Sequence, residues 1–371
     1  MKTRAAVLWD RNKDWSVEEI ELDPPKAGEV LVSVAGSGLC HSDEHVVTGD
    51  LPTAVPIVGG HEGAGIVQEV GPGVTGLAPG DRVIFSFVPS CGSCRACASG
   101  MGSLCELGRY TREGRQISDH TARHHARGQD LGLMCLLGTF AEHTVVNQAS
   151  CVKMEDHDDL PLDLACLLGC GVITGWGSVA YAGEARVGDV VVVVGVGGIG
   201  INAVQGAAAI GAEYVVAVDP VPFKREMALE FGATHAVASS QDAAALLTDL
   251  TRGRMAQVCV NTMGVGDGDQ IGASLSLVGK RGRVVVTNLH PAAETRVSMS
   301  ALELTTYEKQ VRGSLFGSCN PRSDIPRMLE LHRSGKLKLE GLRTRTYTLD
   351  EVNTGYDDMR NGRNLRGVIT F

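Results

Sequence analysis

Cys91, Cys94, Cys97 and Cys105 place four thiols within 15 residues, in the pattern C-x-x-C-x-x-C-x7-C. Thiolates so spaced can close a tetrahedral shell around one ion, with Gly92, Ser93, Ser99 and Gly100 supplying the turns. A structural zinc and an iron–sulfur cluster compete for such spacing. With four thiolates and no open position, the assignment is zinc. Disulfides suit neither a tight cluster nor a long chain of intracellular character.

A second set is dispersed. Cys40 opens the run Cys40-His41-Ser42-Asp43-Glu44-His45, His61 sits in Gly60-His61-Glu62-Gly63, and Cys170 in Gly169-Cys170-Gly171. Two thiolates and one imidazole leave zinc a fourth position, as a catalytic site requires. There the ion can hold an alcohol as its alkoxide, because a Lewis acid lowers the hydroxyl pKa enough for hydride to leave carbon at neutral pH. Taken singly, each of the three is also an ordinary core residue. Their combination is what points to a metal.

Gly195-Val196-Gly197-Gly198-Ile199-Gly200 follows five successive valines and opens a helix-forming stretch. The first glycine permits a tight turn, the second lets backbone amides approach a pyrophosphate, and the third allows close helix packing, while the helix N-terminus supplies positive potential. In a chain with 47 glycines the motif alone is weak. Asp219, 19 residues beyond Gly200, gives it context: a carboxylate there accepts bonds from the ribose hydroxyls and repels a 2′-phosphate. NAD is therefore expected over NADP. Lys224 is a candidate for the adenosine ribose or an ordinary surface lysine.

These residues need two kinds of scaffold. Up to about residue 150, short Val-rich runs at 5–8, 29–34, 66–70 and 82–86 alternate with Gly, Pro and Asp, which predicts an all-β, barrel-like unit. After about 185 the rhythm becomes strand, helix, strand: Val190–Val194, a helix at 201–210, Tyr214–Val218, then strands at 257–260 and 283–287 and helices at 224–231 and 243–252. That alternation predicts a parallel, doubly wound sheet. A polar helix near 324–334 and a terminal strand at 366–371 close the chain, and the latter can rejoin the first unit.

Composition sets the outer bounds. With 371 residues, 43% hydrophobic, the chain can bury a large core in two domains. The net charge of -9 without a basic block argues against nucleic acid as a partner. Arg4, Asp10, Arg11, Lys13 and Asp14 break up any apolar leader, and no run approaches a membrane span. A soluble, cytoplasmic protein with no membrane partner is expected. Two rival readings, a zinc-free reductase of activated double bonds and a zinc-braced binding protein, leave the metal ligands or the dinucleotide motif without a role.

The order of Gly-Leu-Cys40-His-Ser-Asp, Gly-Gly-His61-Glu-Gly, the four-cysteine lobe, Gly-Cys170-Gly-Val-Ile-Thr-Gly and Gly195 to Gly200 resembles the zinc-containing medium-chain alcohol dehydrogenases over essentially the whole chain. The resemblance implies an α/β chain: a GroES-like β-rich catalytic domain at 1–171 and 315–371, and a Rossmann domain of doubly wound parallel sheet at 172–314. It also implies one catalytic and one structural zinc, NAD, a primary or secondary alcohol or its aldehyde or ketone as substrate, and a homodimer or homotetramer.

By the same resemblance Cys40, His61 and Cys170 are the catalytic zinc ligands, Glu62 a carboxylate that approaches the metal during ligand exchange, and Asp43 the partner that orients His61. Ser42 takes the alcohol proton and passes it through the nicotinamide ribose to His45 at the surface, an imidazole suited to releasing it. His41 stands where relatives hold the pyrophosphate with Arg or His, and a neutral His holds phosphate less firmly. Thr174, Thr287, Leu289, Leu315, Phe316 and Arg366 align with nicotinamide and phosphate contacts, Arg366 on the firmest physical ground.

The phrases Gly-Ser-Leu-Phe-Gly-Ser-Cys-Asn-Pro321 and Leu136-Leu-Gly-Thr-Phe-Ala-Glu resemble the actinobacterial and mycobacterial branch, as does the linker at 110–137. Some members of that branch keep NAD bound through turnover and use an external electron acceptor. The linker's His120, His124 and His125 read as an exposed polar loop, with a further metal as the alternative.

Overall fold

The computed structural model describes all residues, Met1–Phe371, which divide into two compact units. The first comprises Met1–Cys170, Asn320–Gly335 and Leu339–Phe371; the second comprises Gly171–Cys319 and Lys336–Lys338. Residues 315–319 and 336–338, assigned by sequence to the catalytic domain, thus pack with the second unit.

In the first unit, strands Lys2–Leu8, Ser16–Leu22, His124–Ala126, Gln129–Leu133 and Ile57–Val58 close a small barrel. Beside it runs a seven-stranded sheet centred on Glu29–Gly38, which pairs antiparallel with Glu62–Val70, His143–Asn147 and the terminal strand Arg366–Thr370. Alternating Val30, Val32 and Val34 put one face of the central strand into a core with Val67, Val83, Phe85 and Val146. The last strand therefore carries Arg366 back among elements formed far earlier in the chain.

The linker is exposed only in part. Arg123 lies wholly buried in a two-pronged ion pair with Glu29, its Nε and Nη2 donating to the two carboxylate oxygens at 2.9 and 2.7 Å. His124, the next residue, is a buried barrel-strand residue beside the Thr144 hydroxyl at 3.3 Å. His120 is exposed and His125 faces Asp23 and Asp130, so the three do not converge.

Burial pushes the His124 imidazole down to about 3. The unfolded chain protonates it near about 6.5, so between these values the unfolded state holds the extra proton and stability falls as pH falls, by about 1.4 kcal/mol per unit. The melting temperature of the protein should therefore drop more steeply from pH 7 to pH 5 than that of His124→Gln. Equal slopes in scanning calorimetry would refute this.

The second unit is a six-stranded sheet, parallel throughout, in the order His235–Val237, Tyr214–Val218, Val190–Val194, Ala256–Asn261, Val278–Val286, Gln310–Gly313. All five valines of the central strand are buried, as expected of a strand covered on both faces. No single helix is long and apolar enough to cross a membrane.

Candidate functional site

Cys40, His61, Glu62 and Cys170 converge inside the first unit, all buried, with one ligand atom of each lying within 4.8 Å of the others. Three separate stretches of backbone supply them. Cys40 precedes the helix His41–Thr48 as its N-cap, where unpaired backbone amides favour a thiolate. Gly60, at φ 85°, turns the chain so that His61, just before the strand Glu62–Val70, and Glu62, its first residue, are both buried; a Cβ at Gly60 would come within 2.5 Å of Phe140 and Thr139. Cys170 sits between a short 3-10 turn and the helix Gly171–Gly177.

Asp43 is fully buried and accepts the Gly60 amide at 2.9 Å. Its carboxylate lies 3.1–3.2 Å from His61 Nδ1, and an ionised carboxylate only accepts, so Nδ1 carries the proton. The lone pair on Nε2 is left buried with no partner in the protein. Glu62 repeats the pattern: one oxygen is taken by Arg366 and the other, Oε1, is buried and unpartnered. A buried nitrogen lone pair, a carboxylate oxygen and two sulfurs within one ion's reach are a donor set that a divalent cation fits.

Cys40 is held well below the usual thiol range, chiefly by the hydrogen bond from Cys170 and also by His61, while the same bond pushes Cys170 up. Burial raises Glu62 to about 7. Phe87 closes one side, its ring meeting His61 edge-on at 5.8 Å.

Arg366, expected on the cofactor's phosphates, pairs with Glu62 through Nη2, while its buried Nε has no partner in the protein. Ser42 lies 3.6 Å from the Cys40 sulfur. His45 shares its helix face three residues on, but it does not reach the surface: its ring is 3% exposed, with Nδ1 3.1 Å from Asp50. The surface position came from the family resemblance, and the backbone turn after this helix, which brings Asp50 over the ring, was not legible in it. His41, one residue after Cys40, is half-buried.

The four-cysteine lobe forms a second donor set, again with all sulfurs within 4.8 Å of one another. Cys91 and Cys97 are 4.0 Å apart and Cys94 and Cys105 3.9 Å, far beyond a disulfide but close to the edge of about 3.8 Å for a tetrahedron with 2.3 Å zinc–sulfur bonds. A cluster of several irons would hold its sulfurs further apart. Amides of Cys91, Cys94 and Cys97 donate to the sulfurs of Cys105, Cys91 and Cys94. Against burial, the largest influence, hydrogen bonds from Ser93 and Cys94 bring Cys91 down to about 6.

In the second unit the glycine turn sits at the carboxyl end of Val190–Val194, before helix Gly200–Ile210. Gly195, at φ 88°, and Gly200 are packed against protein atoms, whereas a Cβ at Gly197 would meet nothing within 4 Å. That is the cradle a pyrophosphate requires. Asp219 follows the adjacent strand and accepts the amides of Val196 at 2.8 Å and Val221 at 2.9 Å, so the carboxylate also braces the turn. Lys224 is half-buried on the next helix; Arg225, which sequence reasoning passed over, donates to the carbonyls of Asp219 and Pro220.

Thr174 Oγ1, on the helix Gly171–Gly177, is buried without a partner, as are Asn261 Nδ2 and both side-chain polar atoms of Asn288, the two asparagines lying at or just beyond the carboxyl ends of their strands. Thr287 donates to the Ser314 carbonyl at 3.1 Å and the Leu289 carbonyl accepts the Gly266 amide. Leu315 is half-exposed and Phe316 buried. The orphaned amides carried no sequence signal, since Asn261 and Asn288 gain meaning only from their position at the carboxyl end of the sheet.

Comparison with known proteins decides the family. Residues 26–156 match the alcohol dehydrogenase GroES-like domain and residues 198–334 the zinc-binding dehydrogenase domain. The chain belongs to the zinc-binding alcohol dehydrogenase family. It is 52% identical over 369 residues to the NDMA-dependent alcohol dehydrogenase of Amycolatopsis methanolica, covering 100% of this chain and 99% of that one. Alcohol dehydrogenase B of Mycobacterium tuberculosis is 45% identical over 372 residues, with 100% and 99% covered. Benzyl alcohol dehydrogenase from Acinetobacter calcoaceticus superposes with a TM-score of 0.89 at 29% identity, covering 100% of this chain and 99% of that one. These relatives place it on the actinobacterial branch, as an oxidoreductase with a small-molecule substrate. Its fold, a GroES-like unit with a Rossmann-type parallel sheet, is the family's.

Proposed function

We propose that the protein oxidises a primary or secondary alcohol to its aldehyde or ketone, reversibly, using zinc and NAD. The observation that carries this is the buried, unpartnered His61 Nε2 beside two cysteine sulfurs and a carboxylate. Zinc in that donor set would act as a Lewis acid toward an alcohol oxygen, and NAD would take the hydride.

The chain's own residues do the rest. Asp43 locks the His61 tautomer and keeps its lone pair inward. Ser42, beside Cys40, would accept the hydroxyl proton and His45, on the same face, would receive it; bound NAD would supply the ribose hydroxyls that link them. Glu62, paired to Arg366, holds a spare carboxylate oxygen toward the ligand set. The cysteine lobe takes a second, structural zinc with no position left open.

Asp219 supports NAD over NADP through charge. In Asp219→Asn the NAD dissociation constant should rise about tenfold, because a charge-assisted bond is lost, and the preference against NADP should shrink. Titration with each dinucleotide measures both, and unchanged discrimination would remove Asp219 from cofactor choice.

A second reading concerns the cofactor's cycle. The Amycolatopsis relative is named for its dependence on NDMA, which supports a turnover that needs an added compound; retention of NAD, with reoxidation by an external acceptor, would account for such a dependence. Denaturing the purified protein, assaying released NAD and zinc, and screening alcohols with and without an artificial acceptor tests both readings. About two zincs per chain and alcohol-dependent turnover are expected; an active, zinc-free preparation overturns the first reading, and activity that depends on added NAD overturns the second.

A further inference from the structure

His45 cannot release a proton directly to water. Its ring is 3% exposed, whereas the Asp50 side chain bonded to its Nδ1 is 28% exposed. The link is built by the backbone. Helix His41–Thr48 ends at Gly49, whose left-handed conformation at φ 85° turns the chain back so that Asp50 meets His45 at 3.1 Å and the Leu51 amide donates to the His45 carbonyl at 3.0 Å. Thr48 Oγ1 donates to the same Asp50 oxygen at 2.7 Å, fixing the carboxylate's rotamer.

We propose that Asp50 is the exit of the proton relay: the proton that His45 receives leaves through the Asp50 carboxylate to water. This rests on the Ser42–ribose–His45 reading above. For each alcohol oxidised, bound NAD would accept the hydride and one proton must leave the hydroxyl; once Ser42 has passed it on to His45, Nδ1 delivers a proton to Asp50, which loses it to solvent. Reduction runs the same steps backward. Asp50 does not touch substrate or cofactor and acts through His45.

The charged surroundings favour one route. Arg11, from the N-terminal segment, lies against Gly49 and donates to the Thr53 carbonyl at 3.1 Å. Glu44, on the same helix as His45, is taken by Arg360 at 2.7 Å. Asp50 is thus the carboxylate that joins the sealed ring to water.

The test compares His45→Gln, Asp50→Asn and Asp50→Glu in the zinc- and NAD-loaded protein. Asparagine keeps a hydrogen-bonding shape but cannot carry a proton. Asp50→Asn should lower kcat about tenfold with KM within about twofold, enlarge the solvent deuterium isotope effect and displace the pH profile of kcat, with Asp50→Glu restoring most of the rate. Without substrate, the imidazole nitrogen NMR shifts of His45 should show its Nδ1 proton lost or moved in Asp50→Asn.

If His45→Gln leaves the pH profile and isotope effect unchanged, the relay reading itself fails. If His45→Gln changes them and Asp50→Asn does not, the relay stands and the Asp50 exit is overturned. A rate loss in Asp50→Asn with an unaltered isotope effect and pH profile also overturns it, because a merely structural role would do that.

Discussion

Replacing His61 with alanine should lower kcat/KM by at least about a thousandfold, the several kcal/mol that a Lewis acid contributes to the transition state. His61 is the one nitrogen donor of its cluster. Its loss also strands the fully buried Asp43 carboxylate opposite an empty space. Metal analysis should find one zinc fewer per chain, with the cysteine lobe still loaded, since its four sulfurs lie in a separate segment. Asp43→Asn should be milder, about ten- to a hundredfold, because it loosens the ligand without removing it. Turnover by His61→Ala close to that of the parent would remove the cluster from the chemistry.

Gly200→Val should abolish dinucleotide binding, weakening it by at least about a hundredfold, or about 2.7 kcal/mol. Its Cβ would lie well inside contact distance of the Gly195 carbonyl oxygen and 2.6 Å from Thr262 Oγ1, so the turn and the helix start must separate. Gly197→Ala makes the informative contrast. The added methyl meets no protein atom within 4 Å, so thermal stability should change little, while dinucleotide affinity falls because that space is the ligand's. Calorimetric titration with melting curves on both variants decides the matter. Unaltered affinity in Gly197→Ala would move the pyrophosphate elsewhere.

Much of the architecture was legible because its signals are local. Five consecutive valines before Gly195 can be a strand buried on both faces, and the glycine pattern that follows has one economical use. The cysteine lobe was legible for the same reason, four thiols within 15 residues being neighbours in any compact loop. The linker was misread because Arg123 and His124 look like solvent-seeking residues. The carboxylate of Glu29, 94 positions away, together with Asp119, makes it favourable to bury the guanidinium.

Sequence alone thus determined the donor types, the turn chemistry and the strand–helix rhythm, each set by residues close together in the chain. Tertiary structure alone decided how those groups are used. It brought Arg366 to Glu62 by pairing the final strand with Glu29–Gly38, sealed His45 from water and handed its Nδ1 to Asp50, and left the Asn288 side chain without a partner just beyond the carboxyl end of its strand. Burial and the partner of a polar group depend on segments distant in sequence, and in a low-dielectric interior it is the partner that sets what the group can do.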